Sequence, residues 1–115
     1  MSQILRKLMD VINDRRETMP ERSYTTSLFQ GGVDRIGSKV REEAEELIEA
    51  ASECGPLPAI EPMQHVTHEA ADLFYHAMVL MAQCQVDLTD VEAELARRFG
   101  ISGIDEKASR QTDHH

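Results

Sequence analysis

Apolar residues recur every three or four positions in four separate segments, which is the spacing of amphipathic α-helices. The segments run from about residue 2 to 16, 34 to 53, 62 to 85 and 89 to 99. The second segment has the clearest pattern, with Ile36, Val40 and Ala44 on one face. No stretch alternates between apolar and polar residues as a half-buried strand does. The pattern predicts an all-α fold of about four helices.

Proline and glycine mark the ends of the first helical segment and of the stretch that follows it. Pro20 ends the first helix, because it disfavours helical geometry in the preceding residue and has no N–H to donate. Residues 23 to 30 are predicted to form a short helix or a turn, and the favoured interpretation is a surface loop with one ordered turn, capped by Ser23. Gly31 and Gly32 close this loop, since both tolerate positive φ.

The later boundaries follow from similar signals. A proline-rich connector from Cys54 to Pro62 separates the second and third helices. Thr89 and Glu92 have the spacing of a capping box, which predicts the start of the fourth helix. Gly100 predicts its end.

Four helices joined by short connections are typical of a helical bundle. Residues 1 to 100 would form this single all-α domain, and residues 101 to 115 a polar C-terminal tail. A chain of 115 residues leaves part of its long apolar stripes uncovered. We therefore expect homodimerisation to complete the bundle.

The charge balance excludes several classes of partner. The chain has 12 Lys and Arg against 21 Asp and Glu, a formal net charge of −9. Nucleic acid is not expected as a partner, because the chain lacks the excess cations that displace counterions. No apolar run approaches the roughly 18 residues of a membrane span, so no membrane partner is expected. Two cysteines without metal-type spacing or a disulfide framework favour a cytoplasmic location.

Acidic residues flank the apolar face of two predicted helices. At about 100° per residue, Glu43 and Glu46 lie on one flank of the second helix. Glu69 and Asp72 form a similar pair along the edge of the third helix. The two helices could therefore present both pairs of carboxylates to one shared space.

Such a cluster predicts a cation site. Four converging carboxylates repel one another unless a multivalent cation or protons neutralise them. Mg²⁺ suits the site, because it prefers carboxylate oxygens, keeps several waters and shares its coordination with substrate phosphates. Of the nearby cations Arg35, Lys39 and Arg41, Lys39 is the favoured contact to phosphate, since it shares the flank of Glu43 and Glu46.

Each of these side chains also has an ordinary structural interpretation. A glutamate-rich helix is most often a solvated face, which we accept for Glu45 and Glu49 and which the helical angle favours for Glu42. A lone histidine such as His76 is more often hydrogen-bonded at the edge of a core than a ligand. Tyr75 by default belongs to the core or to an interface.

Short segments around the acidic pairs narrow the interpretation. They are Ser23-Tyr24-Thr25, Lys39-Val40 before Glu42-Glu43-x-x-Glu46, and Glu69-x-x-Asp72 followed by Leu73-Phe74-Tyr75-His76. Together they resemble the phosphoribosyl-ATP pyrophosphatase family of histidine biosynthesis, within the MazG-like all-α NTP pyrophosphohydrolase superfamily. The resemblance spans roughly residues 4 to 98. The acidic pairs alone would indicate only the superfamily.

The resemblance implies Mg²⁺-dependent hydrolysis of phosphoribosyl-ATP to phosphoribosyl-AMP and pyrophosphate by a homodimer. It implies that catalysis depends on five carboxylates: the metal ligands Glu43, Glu46, Glu69 and Asp72, with Glu42 as an additional or outer ligand. It also implies substrate contacts, with Arg35 and Lys39 at the phosphates and Ser23, Tyr24, Thr25, Tyr75 and His76 around the nucleotide and ribose.

Two features depart from the family pattern. Arg41 stands where the family often has glycine, and the Cys54 to Pro62 connector is longer and richer in proline. The arginine would alter packing beside the metal site. The connector lies between the two acidic helices and would reshape the rim of a pocket, which bears on substrate choice more than on metal binding. No segment resembling a cyclohydrolase is present, so the next step of the pathway would reside on another polypeptide.

Three other functions fit parts of the pattern. A house-cleaning nucleoside triphosphate pyrophosphohydrolase would use the same acidic site on another substrate. A non-catalytic helical dimer would leave the carboxylates solvated or holding a structural ion. A dinuclear iron bundle usually needs Glu-x-x-His, whereas the residue three after Glu69 is Asp72.

Overall fold

The computed structural model describes residues 3 to 100, and this part of the chain contains four helices. They are α1 (Gln3–Thr18), α2 (Tyr24–Ser52), α3 (Ile60–Gln83) and α4 (Leu88–Phe99). No strand occurs among these residues, which confirms the all-α prediction. Within the same residues, no helix combines the length and hydropathy needed to cross a bilayer. The predicted tail, residues 101 to 115, lies outside the described part.

Helices α1, α2 and α3 form one compact unit that ends at residue 85, and α4 belongs to a second unit. In the first unit α2 packs mainly on α3, and α1 packs against both. Its fully buried apolar side chains come from all three helices and include Met9, Ile12, Leu28, Ile36 and Val79. Burial of each such side chain stabilises the fold by roughly 1.5–3 kcal/mol. Ile36, at the start of the predicted apolar stripe of the second helix, is therefore part of the core, whereas Val40 at the centre of that stripe is half-buried.

The segment that was predicted to be a surface loop is helical. Helix α2 begins at Tyr24, so the favoured surface loop over residues 23 to 30 is wrong, and the alternative of a short helix agrees with the structure. Thr26 and Leu28 are buried there, and this packing stabilises a helix for which the local sequence signal is weak. Ser23 caps the helix as predicted, because its hydroxyl accepts a hydrogen bond from the Thr26 N–H at 3.2 Å.

The glycine pair kinks α2 and does not end it. Gly32 has φ 72° and ψ −165°, a backbone region that is open almost only to glycine. Helical geometry continues on both sides of this residue. The first two turns of α2 therefore run in their own direction, and their side chains reach α3.

Helix α3 begins earlier than the sequence predicted. Its first residue is Ile60, so Pro62 lies in the first turn and not in the connector. Proline is tolerated there because the first N–H groups of a helix have no carbonyl partner within it. The connector between α2 and α3 is therefore shorter than the Cys54 to Pro62 segment.

The capping box of α4 differs from the predicted one. Asp87 accepts a hydrogen bond from the Thr89 N–H at 3.0 Å, and Asp90 accepts one from the Asp87 N–H at 2.8 Å. This pair replaces the predicted Thr89 and Glu92, because the backbone leaves its extended conformation at Asp87. Gly100 ends the helix as predicted, in the left-handed region with φ 65°.

Candidate active site

The two acidic pairs meet between α2 and α3. Glu43 and Glu69 are buried, with 6% and 8% of their surface exposed, and Glu46 is partly exposed. Carboxylate oxygens of these three residues lie within 4.8 Å of one another. Asp72 forms a second group with Glu69 and His68, also within 4.8 Å. Glu69 is common to both groups, so the four carboxylates expected from the sequence share one region.

Two buried carboxylate oxygens in this region lack a hydrogen-bond partner among the described residues. They are Oε2 of Glu43 and Oε1 of Glu69. Leaving an ionised carboxylate buried and unpartnered costs several kcal/mol. Carboxylate oxygens are the donors that Mg²⁺ prefers, so the orphaned pair fits a hard divalent cation.

The surroundings of Glu43 in this cluster raise its pKa. Burial raises the pKa of Glu43 from 4.5 to about 7, and a hydrogen bond to Glu46 and the negative charge of Asp72 add to the rise. In the metal-free protein this carboxyl is therefore about half protonated near neutral pH. A divalent cation favours the ionised form, so metal binding would release a proton.

A histidine that the sequence analysis did not single out holds Glu69 from outside the cluster. The Nε2 atom of His65 lies 3.3 Å from Oε2 of Glu69, and its Nδ1 lies 3.0 Å from Oε1 of Glu53. The hydrogen bond to Glu53 raises the pKa of His65. The only sequence signal for the contact between His65 and Glu69 was their four-residue spacing. His68 and Asp72 have the same spacing, and Nε2 of His68 lies 3.3 Å from Oδ2 of Asp72.

His76 connects the acidic cluster to the first turn of α2. Its Nδ1 lies 2.9 Å from the main-chain carbonyl oxygen of Asp72, and its Nε2 lies 3.0 Å from the Tyr24 hydroxyl. Because a carbonyl can only accept, Nδ1 carries a proton and donates it to this oxygen. The same Nδ1 lies 3.6 Å from Oε1 of Glu43. His76 is thus both a buried, hydrogen-bonded histidine and a neighbour of the carboxylates.

Two tyrosines form an aromatic wall beside His76. The rings of Tyr24 and Tyr75 stack with centroids 6.3 Å apart, and the Tyr75 ring meets His76 edge to face at 4.9 Å. The Tyr75 hydroxyl is hydrogen-bonded to the hydroxyl of buried Thr25. Burial raises the pKa of Tyr75. Tyr24 remains 48% exposed, and an exposed aromatic face suits contact with a nucleobase or a ribose.

The cations and the remaining glutamate lie outside the buried cluster. The Lys39 ammonium is 3.1 Å from Oε2 of exposed Glu42, and this hydrogen bond raises the pKa of Lys39. Arg35 is exposed and forms no ion pair within residues 3 to 100. A Cβ on Gly31 would fall 2.3 Å from the Arg35 Cδ, so this glycine leaves room for the Arg35 side chain. Arg41 is also exposed.

Helices α2 and α3, which carry the acidic pairs, both lie in the region of the chain that matches one protein family. Residues 5–99 match the family described as Phosphoribosyl-ATP pyrophosphohydrolase. A phosphoribosyl-ATP pyrophosphatase of Rhodopirellula baltica is 56% identical over 106 residues, which cover 92% of this chain and 85% of that protein. Proteins of the same name from Dechloromonas aromatica and Janthinobacterium sp. are each 44% identical. The matches cover 95% and 98% of this chain and 94% and 100% of those two proteins, respectively.

Proposed function

Because the chain belongs to the phosphoribosyl-ATP pyrophosphohydrolase family, we propose that it hydrolyses phosphoribosyl-ATP to phosphoribosyl-AMP and pyrophosphate in histidine biosynthesis. The structural observation that carries this proposal is the buried carboxylate cluster with unpartnered oxygens on Glu43 and Glu69. Both residues lie inside the matched region. The enzyme is a hydrolase that acts on a phosphoanhydride.

We propose Mg²⁺ as the cofactor of this cluster. The unpartnered oxygens and the hard oxygen donors support it, and the proposed ligands are Glu43, Glu46, Glu69 and Asp72. A bound divalent cation would draw charge from the substrate phosphates and orient the leaving pyrophosphate. Glu42 is exposed and paired with Lys39, which supports an outer role for it.

The chemistry needs no protein nucleophile. A water attacks the α-phosphorus in line with the bond to the β-phosphate. A new P–O bond forms as the bridging P–O bond breaks, and pyrophosphate leaves with the electron pair. A carboxylate of α2, from Glu42, Glu43 or Glu46, accepts the proton that the water loses.

We assign the remaining predicted residues to substrate binding. Tyr24 and Tyr75 offer aromatic surface, while Thr25 and His76 fix these rings through the hydrogen bonds described above. Ser23 holds the first turn of α2 in place as its cap. Arg35 and Lys39 are proposed phosphate contacts, and the exposed pairing of Lys39 with Glu42 is weak enough to be exchanged for a phosphate.

A homodimer and a cytoplasmic location complete the proposal. Large apolar side chains on α2 and α3 are exposed, including Ile48 at 64% and Phe74 at 53%. A second copy of the chain would cover such side chains.

Steady-state kinetics with a panel of substrates tests the proposed function. We expect kcat/KM for phosphoribosyl-ATP to exceed that for ATP and other nucleoside triphosphates, and activity to require Mg²⁺. The double substitution Glu69→Gln and Asp72→Asn should abolish turnover, whereas Glu49→Gln on the exposed face of α2 should not. Faster cleavage of another triphosphate would instead favour a house-cleaning enzyme. No cleavage of any substrate would favour a non-catalytic helical dimer.

A further inference from the structure

A basic cavity opens where α1 is joined to α2. It has a volume of about 550 Å³ and is lined by Asp14, Arg15, Thr18, Pro20, Arg22 and Ser23. Two guanidinium groups gather here in a chain whose formal net charge is −9. The acidic cluster and its proposed chemistry use neither of them.

Both arginines of the cavity are available to a ligand. The neighbouring Arg16 is different, because it donates to the Ala82 carbonyl oxygen at 2.8 Å and so joins α1 to α3. Arg15 instead pairs with the exposed carboxylate of neighbouring Asp14 at 2.9 Å, and such a surface pair contributes little to stability. Within residues 3 to 100, the Arg22 side chain has no hydrogen bond or ion pair.

The cavity is linked to the acidic site through the first turn of α2. Ser23 lines the cavity, and the hydroxyl of the following residue, Tyr24, is hydrogen-bonded to Nε2 of His76 at 3.0 Å. His76 borders the acidic cluster, as described above. Burial raises the pKa of the Tyr75 hydroxyl, and the positive charge of Arg15 offsets part of this rise. The first turn of α2 therefore carries neighbouring residues that line the basic cavity and contact the histidine beside the acidic cluster.

The proposed substrate carries negative charge at two separate places. Its triphosphate reacts at the acidic cluster, whereas the ribosyl group attached to the adenine carries another phosphate. Carboxylates repel this second phosphate, so it needs cationic partners away from the cluster. Arginine suits this role, because its planar guanidinium matches phosphate oxygens with two parallel hydrogen bonds. Ordinary nucleoside triphosphates lack this phosphate.

We propose that Arg15 and Arg22 bind the phosphate of the adenine-linked phosphoribosyl group. This inference rests on the proposed function and deepens it. The acidic cluster recognises a feature that all nucleoside triphosphates share, and the basic cavity recognises the group that distinguishes phosphoribosyl-ATP from them. The two arginines are therefore specificity-determining residues.

Kinetics with matched substrates and variants tests this assignment. Arg15→Gln, Arg22→Gln and the double variant are assayed with phosphoribosyl-ATP and with its analogue that lacks the phosphoribosyl phosphate. Loss of one charge-assisted contact should raise KM for phosphoribosyl-ATP about 10- to 100-fold. The KM for the analogue should not change, and kcat should stay within about twofold because the contact is present in both ground and transition states. Lys7→Gln, on α1 outside the cavity lining, is the matched charge control.

Two results would overturn the inference. One is an equal rise in KM with both substrates, which would show that the arginines affect the fold or the overall electrostatic potential of the protein. The other is an unchanged KM for phosphoribosyl-ATP in the double variant. Circular dichroism confirms that each variant is folded before it is assayed.

Failure of the proposed function gives a different result. If the wild-type protein does not hydrolyse phosphoribosyl-ATP, binding of ribose 5-phosphate, measured by NMR titration, decides the inference on its own. Binding to the wild type that is at least tenfold weaker in the double variant supports a phosphoribosyl site. No binding to the wild type, or equal binding to both proteins, contradicts it.

Discussion

The substitution Glu43→Gln should stabilise the metal-free protein at alkaline pH while it removes activity. Glu43 is buried with an unpartnered oxygen, and burial raises its pKa from 4.5 to about 7. One pKa unit corresponds to 1.36 kcal/mol, so holding this carboxylate ionised in the folded state costs about 3 kcal/mol. A glutamine has the same shape, carries no charge and can donate to Glu46 as the protonated carboxyl does.

The sign of the effect follows from proton binding. Between pH 4.5 and about 7, Glu43 binds more protons in the folded than in the unfolded state, so the stability of the metal-free protein falls as pH rises. Below this window both states are protonated, and the penalty disappears. The Glu43→Gln variant lacks this titration. Its unfolding free energy relative to the wild type should therefore increase by about 2 to 3 kcal/mol between pH 5 and pH 8.

Urea denaturation followed by circular dichroism, in EDTA at pH 5 and pH 8, measures this difference. Glu49→Gln, an exposed position on the same helix, should show no comparable dependence on pH. Activity toward phosphoribosyl-ATP should fall at least 100-fold in the Glu43→Gln variant and stay unchanged in the control. If the stability difference for Glu43→Gln is the same at both pH values, the cluster does not hold a carboxylate under electrostatic strain.

Further predictions concern metal binding, the helix kink and the outer histidine. At pH 8, Mg²⁺ at 100 times its Kd should raise the unfolding free energy of the wild type by about 2.7 kcal/mol, and no rise would contradict the site. Gly32→Ala should destabilise the fold by about 1–3 kcal/mol, because alanine is strained at φ 72°. The control Gly37→Ala has open space for the new methyl group and should stabilise the fold by up to about 1 kcal/mol. Thermal unfolding compares the two variants, and equal effects on stability would contradict the kink at Gly32. His65→Ala should weaken Mn²⁺ binding about 10- to 100-fold, as measured by electron paramagnetic resonance, with partial recovery in His65→Gln. Unchanged Mn²⁺ affinity would show that His65 does not hold Glu69 for the metal.

Hydrophobic periodicity predicted the helices but not the path of α2. The stripe around Ile36 is strong enough to define a helix by itself, whereas Thr26 and Leu28 become helical because they pack in the core. A glycine pair is compatible with either a helix end or a kink. The choice at Gly32 depends on tertiary packing, which the local sequence does not contain.

The acidic pairs were predictable because spacing along one helix fixes which side chains share a face. Their approach across α2 and α3 also needed the fold. The contact of His65 with Glu53 could not be read from the sequence, since it depends on how the connector returns the chain. The capping box at Asp87 was missed for a different reason. The pairs Asp87–Asp90 and Thr89–Glu92 overlap in the sequence, and both have the spacing of a capping box.

The bond of phosphoribosyl-ATP that breaks shows whether this protein is a metal-dependent pyrophosphohydrolase. ³¹P NMR of the purified protein with phosphoribosyl-ATP, in Mg²⁺ and in EDTA, distinguishes the possible products. We expect phosphoribosyl-AMP and pyrophosphate to form in Mg²⁺ and no conversion in EDTA. Formation of phosphoribosyl-ADP and inorganic phosphate, conversion that persists in EDTA, or no conversion in Mg²⁺ would refute the proposed metal-dependent release of pyrophosphate.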